Sequence, residues 1–136
     1  MAKSVLVVDD SFIMRTLIKD ILSSDPELQV VGEATNGLEA VEKVKLLQPD
    51  IILLDIVMPG MNGIECLKHI RLISNSRVII VSSLSTGDSA ETMEARKHGA
   101  FDVIPKPSGS LSLDLRSKKG SDIVKTSRRA GGLSEC

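Results

Sequence analysis

Aromatic residues are almost absent from this sequence: its 136 residues include two Phe and neither Trp nor Tyr. Proteins that bind single-stranded nucleic acid stack the bases on aromatic side chains, so this scarcity argues against that class. The net charge of −1, from 17 basic and 18 acidic residues, supplies no overall positive field for nucleic acid or an acidic membrane. We therefore expect no nucleic-acid partner.

Cysteines and long apolar runs are also scarce. The two cysteines, Cys66 and Cys136, lie far apart, which supports neither a disulfide framework nor a zinc site. The first apolar run, residues 5–8, stops at Asp9, whereas a secretory core needs about 7–15 apolar residues and a membrane span about 20. These absences predict a cytoplasmic protein with no membrane insertion.

The length fits a single domain, and charge divides the chain into two parts. Residues 1–107 carry 11 basic and 15 acidic side chains, whereas residues 108–136 carry 6 and 3. We expect the first part to form the folded core. The Ser-rich second part is expected to hold a last helix and the start of a linker, partly flexible, with the charges of Lys118–Arg129 on a solvated linker surface.

Short, β-branched apolar runs alternate with amphipathic segments along the first part. Such runs lack polar alternation, which is typical of parallel strands covered by helices on both faces. The pattern predicts an α/β fold with an open, doubly wound, five-stranded parallel sheet. The fourth helix, over Thr86–His98, is expected to have a thin apolar face formed by Ala90 and Met93. The predicted strands are Ser4–Val8, Leu28–Val31, Ile51–Leu54, Val78–Val81 and Val103–Ile104.

Polar residues follow four of these strands. Asp9 and Asp10 follow the first, Asp55 the third, Ser82 ends the fourth, and Lys106 follows the fifth. Because the carboxyl ends of parallel strands share one edge, we expect these side chains to converge there. Close carboxylates repel one another unless a cation neutralises them. Mg²⁺, or Mn²⁺ in its place, suits such an oxygen-rich site.

These residue types fit phosphoryl transfer to a carboxylate. Asp55 is the candidate nucleophile, because it is central and followed by a turn. The Asp9-Asp10 pair is expected to hold the metal, and Lys106 to pair with phosphoryl oxygens. The hydroxyl of Ser82 is expected to sense the phosphate, with Ser83 as the alternative.

Three motifs together resemble a response-regulator receiver domain over about residues 3–107. The resemblance implies a (βα)5 flavodoxin-like fold and phosphorylation of Asp55 by a partner histidine kinase. It also implies Mg²⁺ held by Asp10, Asp55 and the Val57 backbone carbonyl, with Asp9 acting through water. The motifs are Val-Asp-Asp-Ser at 8–11, Leu-Asp-Ile-Val-Met-Pro-Gly-Met-Asn-Gly at 54–63 and Lys-Pro at 106–107.

A narrower resemblance links residues 81–85, 98–102 and 106–115 to the chemotaxis protein-glutamate methylesterases. It implies a chemotaxis-type kinase as phosphoryl donor and a downstream esterase domain as the regulated partner. No Gly-x-Ser-x-Gly elbow occurs here, so this segment is expected to be a phospho-acceptor and not an enzyme, with the esterase domain absent. The alternatives are a free-standing chemotaxis regulator and the receiver of a transcription regulator lacking its DNA-binding domain.

The sequence departs from the receiver pattern at three positions. Val103 stands where many members have an aromatic switch residue. Val57 and Leu84, each two residues after a site residue, are apolar and would flank the water that attacks the phosphate. We therefore expect slow self-dephosphorylation.

Overall fold

Strands and helices alternate along the chain, as the apolar runs predict. The computed structural model describes residues 2–82, 90–106 and 120–133. Within these ranges, none of the helices is long and apolar enough to cross a membrane. The strands are β1 (Lys3–Val8), β2 (Leu28–Ala34), β3 (Ile51–Leu54), β4 (Arg77–Ser82) and β5 (Asp102–Pro105), and the helices are α1 (Phe12–Leu22), α2 (Gly37–Leu47), α3 (Gly63–Ile73), α4 (Ala90–Lys97) and α5 (Gly120–Ala130).

All five strands form one parallel sheet in the order β2-β1-β3-β4-β5. The doubly wound parallel sheet is therefore confirmed. The order reverses between β1 and β3, and in such sheets the crevice at this point is where ligands bind. Strand β2 continues to Ala34, beyond the predicted end at Val31.

Two apolar clusters cover the two faces of the sheet. Alternate residues of β1 belong to different clusters: Leu6 and Val8 pack with α2, α3 and α4, whereas Val5 and Val7 pack with α1 and α5. Because both faces are covered, all four residues are at most 1% exposed. This double burial explains the continuous apolar runs in the sequence.

Polar side chains begin the first three helices. Ser11, Asn36 and Asn62 accept hydrogen bonds from backbone N–H groups three residues later, at 3.2, 2.8 and 2.9 Å. These side chains satisfy N–H groups that the first helical turn leaves without partners. They fix where each helix leaves the carboxyl edge of the sheet.

Helix α5 belongs to the folded domain, so the solvated-linker interpretation of Lys118–Arg129 is wrong for Arg128. Its side chain is 11% exposed and pairs with Asp25 at 2.7 Å and Glu27 at 2.9 Å. Burial alone would raise the pKa of Asp25, but hydrogen bonds from Arg128 and the Glu27 backbone, with the Arg128 charge, outweigh burial and lower it. These contacts hold α5 against the loop that precedes β2.

Helix α4 buries different residues from those expected. Thr92 and Ala95 face the core, whereas Met93 is 64% exposed and Ala90 is exposed. The first part of the predicted helix, residues 86–89, lies outside the described residues. The buried face of this helix is small, as expected, but one of its two buried residues is a threonine.

Candidate functional site

The carboxyl ends of the strands hold three of the predicted residues in fixed positions. Asp9, Asp55 and Lys106 are the first residues after β1, β3 and β5. The backbone N–H of each donates to a carbonyl oxygen of a neighbouring strand, at 3.1, 3.0 and 2.6 Å respectively. Each side chain therefore starts from a backbone position that the sheet hydrogen bonds determine.

Three carboxylates meet at this edge. Asp9, Asp10 and Asp55 each place one carboxylate oxygen within 4.8 Å of the others. Asp9 and Asp55 are 1% and 2% exposed, whereas Asp10 is exposed. The cluster thus has two buried acids and one that opens to solvent. Burial strengthens the repulsion among the carboxylates, since little water separates them.

Lys106 neutralises part of this charge. Its Nζ lies 2.9 Å from Asp9 Oδ2 and 3.0 Å from Asp55 Oδ2, and its side chain is 15% exposed. The other oxygen of each carboxylate accepts a backbone N–H: that of Ser11 at 2.9 Å for Asp9, and that of Val57 at 3.3 Å for Asp55. One ammonium therefore serves two buried acids.

The protonation equilibria reflect this shortage of positive charge. Burial raises the pKa of Asp55 above its ordinary value, and the Asp9 charge adds to the effect, although Lys106 partly opposes it. Burial by itself would lower the pKa of Lys106, but its hydrogen bonds to Asp9 and Asp55 raise it overall. The lysine therefore stays charged, and the ionised form of Asp55 is disfavoured by its surroundings.

A close backbone contact holds the segment after Asp55. Gly63 donates its N–H to the Ile56 carbonyl at 2.7 Å. A Cβ atom at Gly63 would lie 2.2 Å from the Asp55 carbonyl oxygen, a separation that no side chain tolerates. Glycine at this position therefore allows the start of α3 to pack directly on the backbone of Asp55.

The structure brings four of the predicted site residues together: Asp9, Asp10, Asp55 and Lys106. Ser82 is buried at the end of β4, opposite Pro105 in the ladder with β5. Ser83 and Leu84 lie outside the described residues. The Val57 residue is 61% exposed beside the cluster, while its backbone N–H binds Asp55.

Sequence reasoning missed Arg15 and Glu33. Arg15 of α1 donates from Nη1 to the Asp9 carbonyl at 2.8 Å and from Nε to Glu33 Oε1 at 3.0 Å. A signal was present: Arg15 precedes Ile18 and Leu22 by three and seven residues, on the buried face of the helix. A charged residue in such an apolar stripe indicates a specific buried partner.

The chemistry of the site follows from its donors. Oxygen ligands of this kind suit a hard cation, and His and Cys are absent from the cluster that the described residues form. A carboxylate beside a fixed ammonium can also accept a phosphoryl group, because the ammonium neutralises the transferred charge. The fold is a flavodoxin-like α/β domain, and the acidic cluster at its carboxyl edge has the residue types suited to a hard cation and to phosphoryl transfer.

The chain belongs to the response regulator receiver domain family, which it matches over residues 5–116. It is 55% identical over 112 residues to the protein-glutamate methylesterase/protein-glutamine glutaminase of Thermotoga maritima. That match covers 82% of this chain and 33% of the Thermotoga protein. The chain thus spans about a third of the length of the curated relatives it matches.

Solved structures agree in fold. The response regulator domain of Thermotoga maritima CheB superposes with a TM-score of 0.89 at 48% identity, covering 98% of this chain and 99% of that one. CheY6 with the P1 domain of CheA3 from R. sphaeroides gives 0.79 at 35% identity, covering 96% and 98%. The CheX-CheY-BeF3-Mg²⁺ complex from Borrelia burgdorferi gives 0.70 at 34%, covering 86% and 87%.

The raised pKa of Asp55 leads to a prediction about stability without divalent cations. A folded-state pKa above the unfolded value costs stability at pH values above both, and the cost disappears in acid. In EDTA at pH 7, Asp55→Asn should therefore raise the free energy of unfolding measured in urea. The gain should shrink as the pH falls through the raised folded-state pKa of Asp55 and should be lost below the ordinary Asp value of 3.8.

Asp25→Asn is the matched control, because the pKa of that buried acid is lowered. The lowered pKa stabilises the fold at neutral pH, and this contribution is lost as the pH falls through the folded-state value. Asp25→Asn should therefore destabilise the protein at pH 7, with the deficit shrinking in acid. A loss of stability at pH 7 in Asp55→Asn as well would contradict the electrostatic description of the site.

Proposed function

We propose that this chain is the phosphorylated regulatory domain of a chemotaxis protein-glutamate methylesterase in the cytoplasm. The observation that carries the proposal is the cluster of Asp9, Asp10 and Asp55, in which the Lys106 ammonium pairs with Asp9 and Asp55. The names of the relatives support the methylesterase. A free-standing chemotaxis regulator or a transcription regulator would use the same site chemistry, but the first relatives favour neither.

The proposed reaction transfers a phosphoryl group from a kinase phosphohistidine to Asp55. A carboxylate oxygen of Asp55 attacks phosphorus, the P–N bond breaks, and an acyl phosphate forms while the imidazole nitrogen takes a proton. Lys106 already lies at hydrogen-bond distance from Asp55, so it can pair with a phosphoryl oxygen without a strand shift. The complex of CheY6 with the P1 domain of CheA3 supports a chemotaxis-type kinase as the partner.

We propose Mg²⁺ as the cofactor, with Mn²⁺ able to replace it. Asp10, Asp55 and the Val57 backbone carbonyl would hold it, with Asp9 acting through water. The carboxylate oxygens of Asp9, Asp10 and Asp55 form a suitable donor set. The magnesium in the Borrelia CheY complex supports the assignment. The bound cation would supply positive charge to the phosphoryl oxygens.

The phosphate is proposed to act on the rest of the protein through Ser82. Its hydroxyl, buried at the end of β4, would donate to a phosphoryl oxygen and draw the following segment toward the site. The added charge of about −1.5 to −2 makes this pull strong. Helix α4 has a thin buried face of Thr92 and Ala95, so its position can respond. The surface next to it would then release the esterase domain.

Phosphorylation by a small acyl-phosphate donor tests the site directly. With Mg²⁺ present, the intact mass should rise by one phosphoryl group, and Asp55→Asn should abolish the gain. Asp50→Asn is the control, because this exposed acid precedes β3 at the opposite edge of the sheet. That variant should be labelled as well as wild type. Labelling of Asp55→Asn would place the acceptor elsewhere.

The lifetime of the phosphate depends on how well water reaches it. The exposed, apolar Val57 side chain offers no hydrogen bond to an attacking water. Val57→Asn should therefore shorten the half-life of the phosphorylated domain severalfold, as followed by mass after the donor is removed. Leu72→Asn, at an 83% exposed position on α3, should leave it unchanged. Equal half-lives for Val57→Asn and wild type would refute the expected role of Val57.

A further inference from the structure

A buried arginine connects the acidic cluster to the edge strand β2. Arg15 lies on α1 with its side chain 11% exposed. Its Nη1 donates to the Asp9 carbonyl at 2.8 Å, and its Nε donates to Glu33 Oε1 at 3.0 Å. Both bonds come from one planar guanidinium, whose fork fixes their relative directions. The arginine thus links a carboxylate of β2 to the backbone of the cluster.

The Asp9 carbonyl occupies a particular place in the site. It belongs to the peptide that joins Asp9 to Asp10, two of the three clustered acids. The Asp9 N–H donates to the Ala34 carbonyl at 3.1 Å, so both backbone polar groups of this residue are held. Rotation of that peptide would turn the Asp9 and Asp10 side chains relative to each other. The Arg15 hydrogen bond opposes this rotation.

Resting on the function proposed above, we propose that Arg15, held by Glu33, is a positioning residue that orients the Asp9-Asp10 pair for divalent-cation binding. It acts through the backbone and touches neither the cation nor the phosphoryl group. No carboxylate of the cluster is used in holding it. The carboxylate oxygens of Asp9, Asp10 and Asp55 therefore remain available at the site.

The contacts of Glu33 indicate that Arg15 acts on the cluster through its hydrogen bonds and not through its positive charge. Glu33 Oε1 accepts from Arg15, and Oε2 pairs with Lys19 at 2.6 Å. The Glu33 backbone carbonyl accepts from Lys43. The hydrogen bond from Lys19 lowers the pKa of Glu33, burial opposes this, and the Arg15 bond lowers it further. Glu33 thus stays ionised and offsets the positive charge that Arg15 brings near the cluster.

Two substitutions separate orientation from charge. Arg15→Met removes both hydrogen bonds, and Arg15→Lys keeps the charge without the fork that serves both partners. Magnesium titration calorimetry should show a dissociation constant about tenfold higher for Arg15→Met, as is usual when a group that orients a ligand is lost. Arg15→Lys should also bind more weakly than wild type. In metal-free protein, the Asp10 amide resonance should shift in both variants.

Arg128→Met is the matched control for a lost buried arginine. Arg128 is also 11% exposed and also pairs with carboxylates, but near the start of β2, at the other edge of the sheet. Its loss should lower the unfolding temperature of the protein. Its magnesium affinity and Asp10 resonance, measured well below that temperature, should match wild type.

Several outcomes would overturn the inference. Magnesium affinity equal to wild type in Arg15→Met would show that the Asp9-Asp10 pair needs no external orientation. Full affinity in Arg15→Lys would show that charge alone matters, and an equal loss in Arg128→Met would show a general effect of destabilisation. If wild type itself binds no Mg²⁺, both this inference and the proposed function fail. Normal wild-type binding with unaffected Arg15 variants removes this inference alone.

Discussion

Repulsion among three carboxylates at one end of a parallel sheet is the constraint on which this structure depends. Asp9 and Asp55 are almost completely buried, and Asp10 stands beside them at the surface. Water screens such charges poorly in a buried setting, so positive charge has to come from elsewhere. Lys106 supplies one ammonium to both buried acids. The remaining negative charge would attract the hard cation that the proposed chemistry uses.

The carboxyl edge of the sheet holds the candidate site, whereas ion pairs near the amino edge stabilise the fold. At the carboxyl edge, Lys106 pairs with two of the three clustered acids in the described part of the chain, and the pKa of Asp55 is raised by burial and by Asp9. Near the amino edge, Arg128 pairs with both Asp25 and Glu27, and the pKa of Asp25 is lowered. The fold therefore tolerates an unfavourable charge cluster at one end while closing the other end with ion pairs. Such a division is typical of proteins whose sites are not optimised for stability.

Local sequence patterns were enough to identify the site residues that lie directly at the ends of strands. Asp9, Asp55 and Lys106 could be found because each directly follows an apolar run, and the ends of parallel strands share an edge. The same reasoning identified the order of elements, because apolar runs report burial on both faces. Strand ends beyond the apolar run were less predictable, as in β2, which continues through Gly32 and Glu33 to Ala34.

Residues whose roles arise from distant partners could not be found in this way. Arg128 pairs with Asp25 across 103 positions of sequence, and its position in a basic, Ser-rich segment favoured a linker. Arg15 depends on Glu33, 18 residues away, so only its place in an apolar stripe could have raised suspicion. In α4, Thr92 faces the core where Met93 was expected, because hydrophobicity alone does not determine which face of a short polar helix turns inward.

A crystal of the chain grown with Mn²⁺ tests the central claim most directly, because the anomalous signal of manganese locates the ion independently of the protein density. The account predicts a single strong peak with carboxylate oxygens of Asp10 and Asp55 about 2.1 Å away. The Lys106 ammonium should remain beside Asp55. An ordered, ion-free cluster at saturating Mn²⁺, or an ion held by other residues, would contradict it.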